Sequence, residues 1–389
     1  MSRVAIVGVG HTVYSDPGSL KEPYWKLDFE AASAALDDAG MTKGDIDAVI
    51  TASYDLYDGI VISAQFSAGA ACSWWKDGTN LAEDGAFAIP SAYMKIRSGM
   101  YDTVMVVSHG TIHSHDVIMK SSNIACDPFF FRPIASNNLV LNALQASRYK
   151  DIYGISEEYA ARISVMEHGN AMKNPHAHIK TEVSIAEVLN SPVLCWPIRA
   201  LEYCPASSGA SAIILATEEL ASWRATSKKI AYVKGIGWAS ETYQIGNNGS
   251  LDKIASTVKA ANMAYEMAGI KNPTEEIDVA EIAGVTPYQE LMLLEALGFC
   301  DFGKAISLVE EGVTAIDGKL PVNPSGGLIC TNPVGGAGLF SVAEAAMQVM
   351  GMAEGHQIEA ANVALAHGMS NVCGPAARAS CVVIMESEK

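Results

Sequence analysis

The sequence predicts an α/β protein made of two copies of one strand–helix–strand–helix–strand unit. Three observations lead there: an internal repeat, apolar strands alternating with alanine-rich helices, and an apolar fraction high enough to bury whole sheets. Hydrophobic residues make up 49% of the 389 and charged residues only 18%, so most of the chain is covered by other parts of itself.

The repeat comes first, because it decides the fold. Segment 29–40 is an alanine-rich stretch with apolar residues at helical spacing, ended by Gly40 and followed by Ile46-Asp47 and a short apolar run. Segment 258–269 repeats this, ending at Gly269 before Ile277-Asp278. A glycine at that place is a helix terminator, since it takes the left-handed conformation at no cost. Further strands predicted at 101–110 and 208–215 are matched by 361–368 and 377–384. The openings are matched as 4–8 against 230–234. The two units run over about 1–225 and 226–389, and the first carries an insertion, about 111–204, where a lid over a substrate is expected.

Charge and cysteine usage exclude several functions. The net charge of −17 disfavours nucleic acid and anionic membranes, which need clustered Lys and Arg. No apolar run approaches the roughly 18 residues of a bilayer span. The N-terminus reads as a strand without the apolar core of a signal peptide, so a cytoplasmic location is expected. The eight cysteines, Cys72, Cys126, Cys195, Cys204, Cys300, Cys330, Cys373 and Cys381, form no CxxC pair, and no metal site is expected. Gly8 and Gly10 supply two of the three glycines of a dinucleotide fingerprint. That match is incomplete, no acidic residue lies at a suitable distance, and the matched strand 230–234 lacks the glycines, so the nucleotide reading is set aside.

Particular segments carry a family resemblance. Residues 4–12, Asn174-Pro175, the Cys204-Pro205 turn within 203–212, and the Asn323-Pro324-Ser325-Gly326-Gly327 segment resemble the thiolase superfamily. They are most similar to the branch containing the thiolase domain of sterol carrier protein X and related lipid-transfer proteins. The resemblance implies a thiolase fold, with the duplicated halves in a five-layered α-β-α-β-α arrangement. It also implies coenzyme A as co-substrate with no tightly bound cofactor, an acyl-CoA substrate, a homodimer, and a small zinc-ribbon/OB-fold partner subunit.

Such enzymes use four loops, and here each departs from the family pattern. The position of the nucleophilic cysteine, sixteen residues before Ser98, holds Ala82, so an acyl-enzyme is not expected there. Glu83 and Asp84 follow it, either as caps of a helix N-terminus or as a base. The second loop is Ala283-Gly284-Val285-Thr286, without the family's polar first residue. In the third loop Asn332 replaces a histidine and is the expected oxyanion donor, with Gly335 and Gly336 beside it as coenzyme A contacts. The fourth loop offers His367 for acid–base work and Cys373 as an acid–base thiol. Cys72 is the alternative nucleophile. Trp74 and Trp75 suggest an aromatic wall, as do Phe129 to Phe131 and Trp196, while Arg132 and Arg199 are candidates for a carboxylate or a coenzyme A phosphate.

The expected activity is cleavage of a bulky, aromatic β-oxoacyl-CoA by coenzyme A, of the benzoylsuccinyl-CoA type, without a cysteine nucleophile. Two alternatives stand beside it. One is retro-aldol cleavage of a β-hydroxyacyl-CoA, with Tyr288 compensating for tyrosines that the family's aldolases carry on the second and third loops. The other is a non-catalytic acyl-CoA-binding subunit.

Overall fold

The computed structural model describes residues 3–19, 22–111, 115–134, 136–224, 229–243, 251–375 and 378–387. The expected boundary near 225 lies outside the described residues. The main strands are β1 (Val4–His11), β2 (Ala48–Ala52), β3 (Asp77–Leu81) and β4 (Thr103–Gly110). After a small hairpin of β5 (Val193–Cys195) and β6 (Ile198–Arg199) come β7 (Gly209–Thr217), β8 (Ala231–Ser240), β9 (Val279–Ile282), β10 (Val363–Ser370) and β11 (Ala379–Ser387). The helices that matter here are α1 (Trp25–Ala39), α2 (Ala88–Arg97), α3 (His115–Ala125), α4 (Asn138–Tyr153), α5 (Glu157–Ala171), α6 (Ala255–Ala268), α7 (Pro287–Ala296) and α8 (Ala337–Met350).

Strand order shows the duplication directly. The nine main strands run β3-β2-β4-β7-β1-β8-β11-β10-β9. Reading outward from the β1–β8 junction, β1, β7, β4 and β2 are mirrored by β8, β11, β10 and β9. The sheet is mixed: β2 is parallel to β3 and β4, and β9 to β10, while β7 and β11 run antiparallel to their neighbours.

Side-chain alternation sorts the chain into five layers. In β1, Val4 and Ile6 join one apolar cluster, whereas Ala5 and Val7 join another. The second of these packs against Ala31, Ala35 and Ala39 of α1. The first holds Ile89 and Ala92 of α2, Leu339 and Val342 of α8, and Ala364 and Val383 of the second run of strands. A third cluster covers the far face with Ala260 and Ala264 of α6, below Leu365 and Ile384. The order is therefore α1, strands, α2 with α8, strands, α6. Every residue of α8 is buried, as a helix clamped between two layers of strands requires.

The glycines of β1 have a packing role. A Cβ on Gly8 would lie 2.4 Å from the backbone oxygen of Ala35, and one on Gly10 would lie 2.2 Å from that of Ala31. Gly235 and Gly237 in β8 meet α6 in the same way, at 2.2 Å from the Ala264 oxygen and 1.9 Å from that of Ala260. This corrects the sequence register: Gly8 matches Gly235 and not Lys234, so the second copy does carry the glycines. The alignment slipped by one residue because alanine and valine fit either face of a buried strand. Among the described residues no helix is long and apolar enough to cross a membrane.

Gly10→Ala is expected to lower stability by at least ~2 kcal/mol, because the helix backbone must move to admit the methyl group. Gly169→Ala, in α5 with nothing within 4 Å of the added Cβ, is the control. It is expected to be neutral or stabilising by up to ~1 kcal/mol in the same chemical denaturation series.

Candidate active site

The loops that follow the parallel strands converge on one small cavity that opens to solvent. Tyr54 comes from the loop after β2 and Asp84 from the turn between β3 and α2. Ala283 and Val285 follow β9, while Asn371 and Val372 follow β10. The turn before α8 gives Asn332, Val334 and Gly335, and the insertion gives Asn138 at the start of α4. Such crevices beyond the carboxyl ends of strands are the usual ligand sites of α/β sheets.

Asp84 links the two central helices. Its Oδ1 accepts the Ala86 N–H at 3.1 Å, and its Oδ2 accepts the Gly338 N–H at 2.8 Å. Both donors belong to the opening turns of helices, where amides lack internal partners and the dipole favours an anion. Burial acts in the opposite direction and dominates, raising the carboxyl to about 7. A buried acid poised near neutrality is suited to taking and returning protons.

Tyr54 stands beside it. Its hydroxyl is 2.9 Å from Ser370 Oγ and donates to Glu83 Oε2 at 3.3 Å. Burial, then Glu83 and Asp84, push its ionisation well above the usual tyrosine range. It therefore stays a proton donor at working pH.

The third loop is held from both sides. The Gly335 carbonyl accepts from Gly85 N at 2.8 Å and from Ser108 Oγ at 3.2 Å. Behind it, Asn323 has a positive φ of 49°. Its Oδ1 accepts Ile282 N at 2.7 Å, and its Nδ2 donates to Glu290 Oε2 at 3.1 Å and also to Glu167. Burial raises both glutamates, so this carboxyl pair holds a proton instead of two bare charges.

Residues 237–386 match the thiolase C-terminal domain-like family. An acetyl-CoA acetyltransferase of Methanothermobacter thermautotrophicus is 30% identical over 97% of this chain and 98% of its own length. The chain belongs to the thiolase superfamily. Sterol carrier protein 2 of Gallus gallus is 27% identical over 94% of the chain and 69% of that protein. The benzoylsuccinyl-CoA thiolase subunit BbsB of Thauera aromatica is 30% identical over 59% of the chain and 60% of its own length. Among solved structures, the Ltp2-ChsH2(DUF35) aldolase shares the fold with a TM-score of 0.84, at 23% identity, covering 100% of this chain and 98% of the other.

In this member of the thiolase superfamily, Asp84, Ala283, Val285, Asn332 and Gly335, all singled out from sequence, line the cavity, and Gly336 lies beside it. Asn332 lines it, buried, with Nδ2 3.1 Å from Cys204 Sγ. Gly335 lines it too, whereas a Cβ on Gly336 would lie 3.2 Å from the His109 backbone. The others sit elsewhere. His367 is fully enclosed on the α6 side of β10, with Nε2 3.1 Å from Thr257 Oγ1 and Nδ1 accepting the Ala283 N–H at 3.4 Å. Burial, assisted by Arg378, lowers it to about 3. Cys373 is buried beside Cys126 under the fourth loop. Arg132 is exposed and donates to the Cys126 carbonyl at 3.3 Å, while Arg199 pairs with Glu157 at 3.0 Å. Neither arginine reaches the cavity wall.

Ala82 is exposed, in a second depression with Phe87, Met94 and Trp238. The residue of this turn that reaches the cavity is Asp84, two positions on. Cys72 packs among the residues under α1, and Trp74, Trp75, Phe129, Phe130 and Trp196 are all exposed. Tyr288 is buried in α7, off the cavity. Sequence reasoning missed Tyr54, Asn138 and Asn371. Tyr54 carried no motif, and the two asparagines are placed by loop geometry alone.

A histidine held neutral in this way contributes no titration near neutrality. His367→Gln is expected to cost ~1–3 kcal/mol of stability from the hydrogen bonds disturbed. The shape of the pH–rate profile should be unchanged.

Proposed function

We propose that this thiolase-superfamily chain cleaves the Cα–Cβ bond of a β-hydroxyacyl-CoA by a retro-aldol route, with no acyl-enzyme. One observation carries the reading. Where the loops meet, the cavity wall holds a buried carboxyl poised near pH 7 and, among the described residues, no thiol. A retro-aldol step needs only a base for the β-hydroxyl proton and donors for the thioester oxygen as it becomes an enolate. Asp84 takes the hydroxyl proton, the Cα–Cβ bond breaks, and its electron pair becomes the enolate. The Nδ2 of Asn332 donates to the enolate oxygen, turning from Cys204. The proton then returns to Cα, from Asp84 directly or through Tyr54. The products are an aldehyde or ketone and a shortened acyl-CoA. A solved neighbour that is named an aldolase and spans the whole chain supports this reading.

Cleavage of a β-oxoacyl-CoA by free coenzyme A is the second reading, favoured by the names of the relatives, acetyltransferases and a benzoylsuccinyl-CoA thiolase subunit. It asks more of the cavity. Two oxygens become anionic in turn, the β-carbonyl oxygen on thiol addition and the thioester oxygen on cleavage. The thiol must also be deprotonated. A partner belongs to the proposal as well. One relative is named as a subunit and the solved neighbour as a two-component assembly, which fits a small zinc-ribbon/OB-fold partner and a dimeric core, with a cytoplasmic location.

The test pairs β-hydroxyacyl-CoA and β-oxoacyl-CoA substrates of equal length, with and without coenzyme A, and identifies products by mass spectrometry. The protein is co-produced with any such partner. An aldehyde or ketone with one shortened thioester, independent of added coenzyme A, is expected. Two thioesters that form only with coenzyme A would overturn the lyase reading. Asp84→Asn should lower kcat/KM at least ~100-fold. In the wild type kcat/KM should rise with pH through about 7, as the Asp84 carboxyl ionises and becomes the base.

A further inference from the structure

The fourth loop carries a side chain that the protein itself leaves unused. The backbone of Asn371 is fixed: its carbonyl accepts from Asn138 Nδ2 at 3.3 Å and from Gly374 N at 3.2 Å. Its carboxamide is not. Both Oδ1 and Nδ2 are shielded from solvent without a hydrogen-bond partner, and the residue lines the cavity. Each of the other polar side chains on that wall has a partner. Asp84 accepts two amides, Tyr54 meets Ser370 and Glu83, Asn138 reaches the Asn371 carbonyl, and Asn332 meets Cys204. Among the described residues, Asn371 alone brings orphaned buried polar atoms to this wall. An orphaned buried polar group costs roughly 1–3 kcal/mol, and such groups call for an explanation.

We propose that Asn371 is the specificity-determining residue, reading the β-hydroxyl and the thioester oxygen of the substrate together. This rests on the retro-aldol reading. A carboxamide presents a donor and an acceptor side by side. A β-hydroxyacyl thioester offers the complement, with an oxygen that accepts at the thioester and a hydroxyl that donates two carbons away. A β-oxoacyl thioester offers two acceptors and no donor, and leaves Oδ1 unpaired. A saturated acyl thioester leaves it unpaired too. Nδ2 of Asn371 donates to the same oxygen that Asn332 serves. Oδ1 accepts the hydroxyl proton in the bound complex, and the hydroxyl then turns that proton to ionised Asp84 for the cleavage step. Sites built to bond a substrate hydroxyl reject analogues that lack it much more strongly than apolar pockets reject a missing methylene. Asn371 thus selects the hydroxy oxidation state, which places the reaction directly after a hydration or ketone-reduction step that makes a β-hydroxyacyl-CoA.

The test measures displacement of a fluorescent saturated acyl-CoA probe by three CoA thioesters of one chain length, β-hydroxy, β-oxo and saturated. Readings are taken within the stopped-flow mixing time, so turnover does not enter. The full chain, with its co-produced partner, is compared with Asn371→Leu and Asn371→Gln. Wild type is expected to bind the β-hydroxy thioester at least ~10-fold more tightly than the other two. Asn371→Leu should abolish that preference, weakening the β-hydroxy thioester at least ~10-fold more than the saturated one, which loses only the Nδ2 bond to its thioester oxygen, and Asn371→Gln should restore part of it. Thermal melting of Asn371→Leu should be unchanged or raised, since an unpartnered amide is removed. Equal loss of all three ligands, a lowered melting temperature, or a wild type without preference would overturn the assignment. Product analysis stands apart: a preference without aldehyde formation would sink the retro-aldol step and leave Asn371 as the reader of the hydroxyl.

Discussion

Two hydrogen bonds accepted by Asp84, from Ala86 in the turn that opens α2 and from Gly338 at the start of α8, set the geometry on which the site depends. Helices α2 and α8 lie between the two layers of strands and point their opening turns at the same place. A carboxylate between those turns satisfies orphan amides of both and meets the positive ends of both dipoles. The close approach constrains the chain elsewhere. A Cβ on Gly338 would sit 1.8 Å from Asp84 Oδ1, and one on Gly368 would sit 2.5 Å from it. The glycines of the third and fourth loops are therefore required by the carboxyl in the first.

The same placement makes the carboxyl chemically active. Amide donors alone would hold it ionised, and burial alone would hold it neutral. Their balance leaves it near pH 7, in a wall otherwise made of the Tyr54 phenol, amides and apolar side chains. Supporting charges are kept away from the reacting region. His109, behind the third loop, lies 2.9 Å from Asp28 and 3.2 Å from Asp58. Burial would depress it, but the two carboxylates overcome that and raise it to about 10. That ion cluster anchors the end of β4, against which the third loop packs, without presenting a charge to the cavity.

The fold was legible in the sequence almost throughout, because periodicity is a property of neighbours along the chain. Gly40 and Gly269 do end helices α1 and α6 in the left-handed conformation, and the repeat does become mirrored strands. The one-residue slip at β8 arose where apolar strands are uniform. The site was harder to read. Loop motifs identified the right turns, and Asn332 and Gly335 do face the cavity. Which residue of a turn faces inward depends on its φ and ψ, and sequence spacing does not report these. Asp84 takes the place expected of position 82 for that reason. His367 shows the same limit: a histidine in the right loop lies on the outer face of β10, where period-2 alternation sends it towards Thr257. Asn371 was invisible because its significance is a missing partner, which only three-dimensional neighbours reveal.

The central claim is that C–C bond chemistry proceeds here without a covalent acyl-enzyme. Intact-protein mass spectrometry after rapid acid quench, during turnover of a β-hydroxyacyl-CoA and separately of a β-oxoacyl-CoA, tests it most directly. The account predicts the unmodified mass of the chain at every time point while product accumulates. A transient mass increase equal to an acyl group, mapped by peptide analysis to any cysteine, would contradict it.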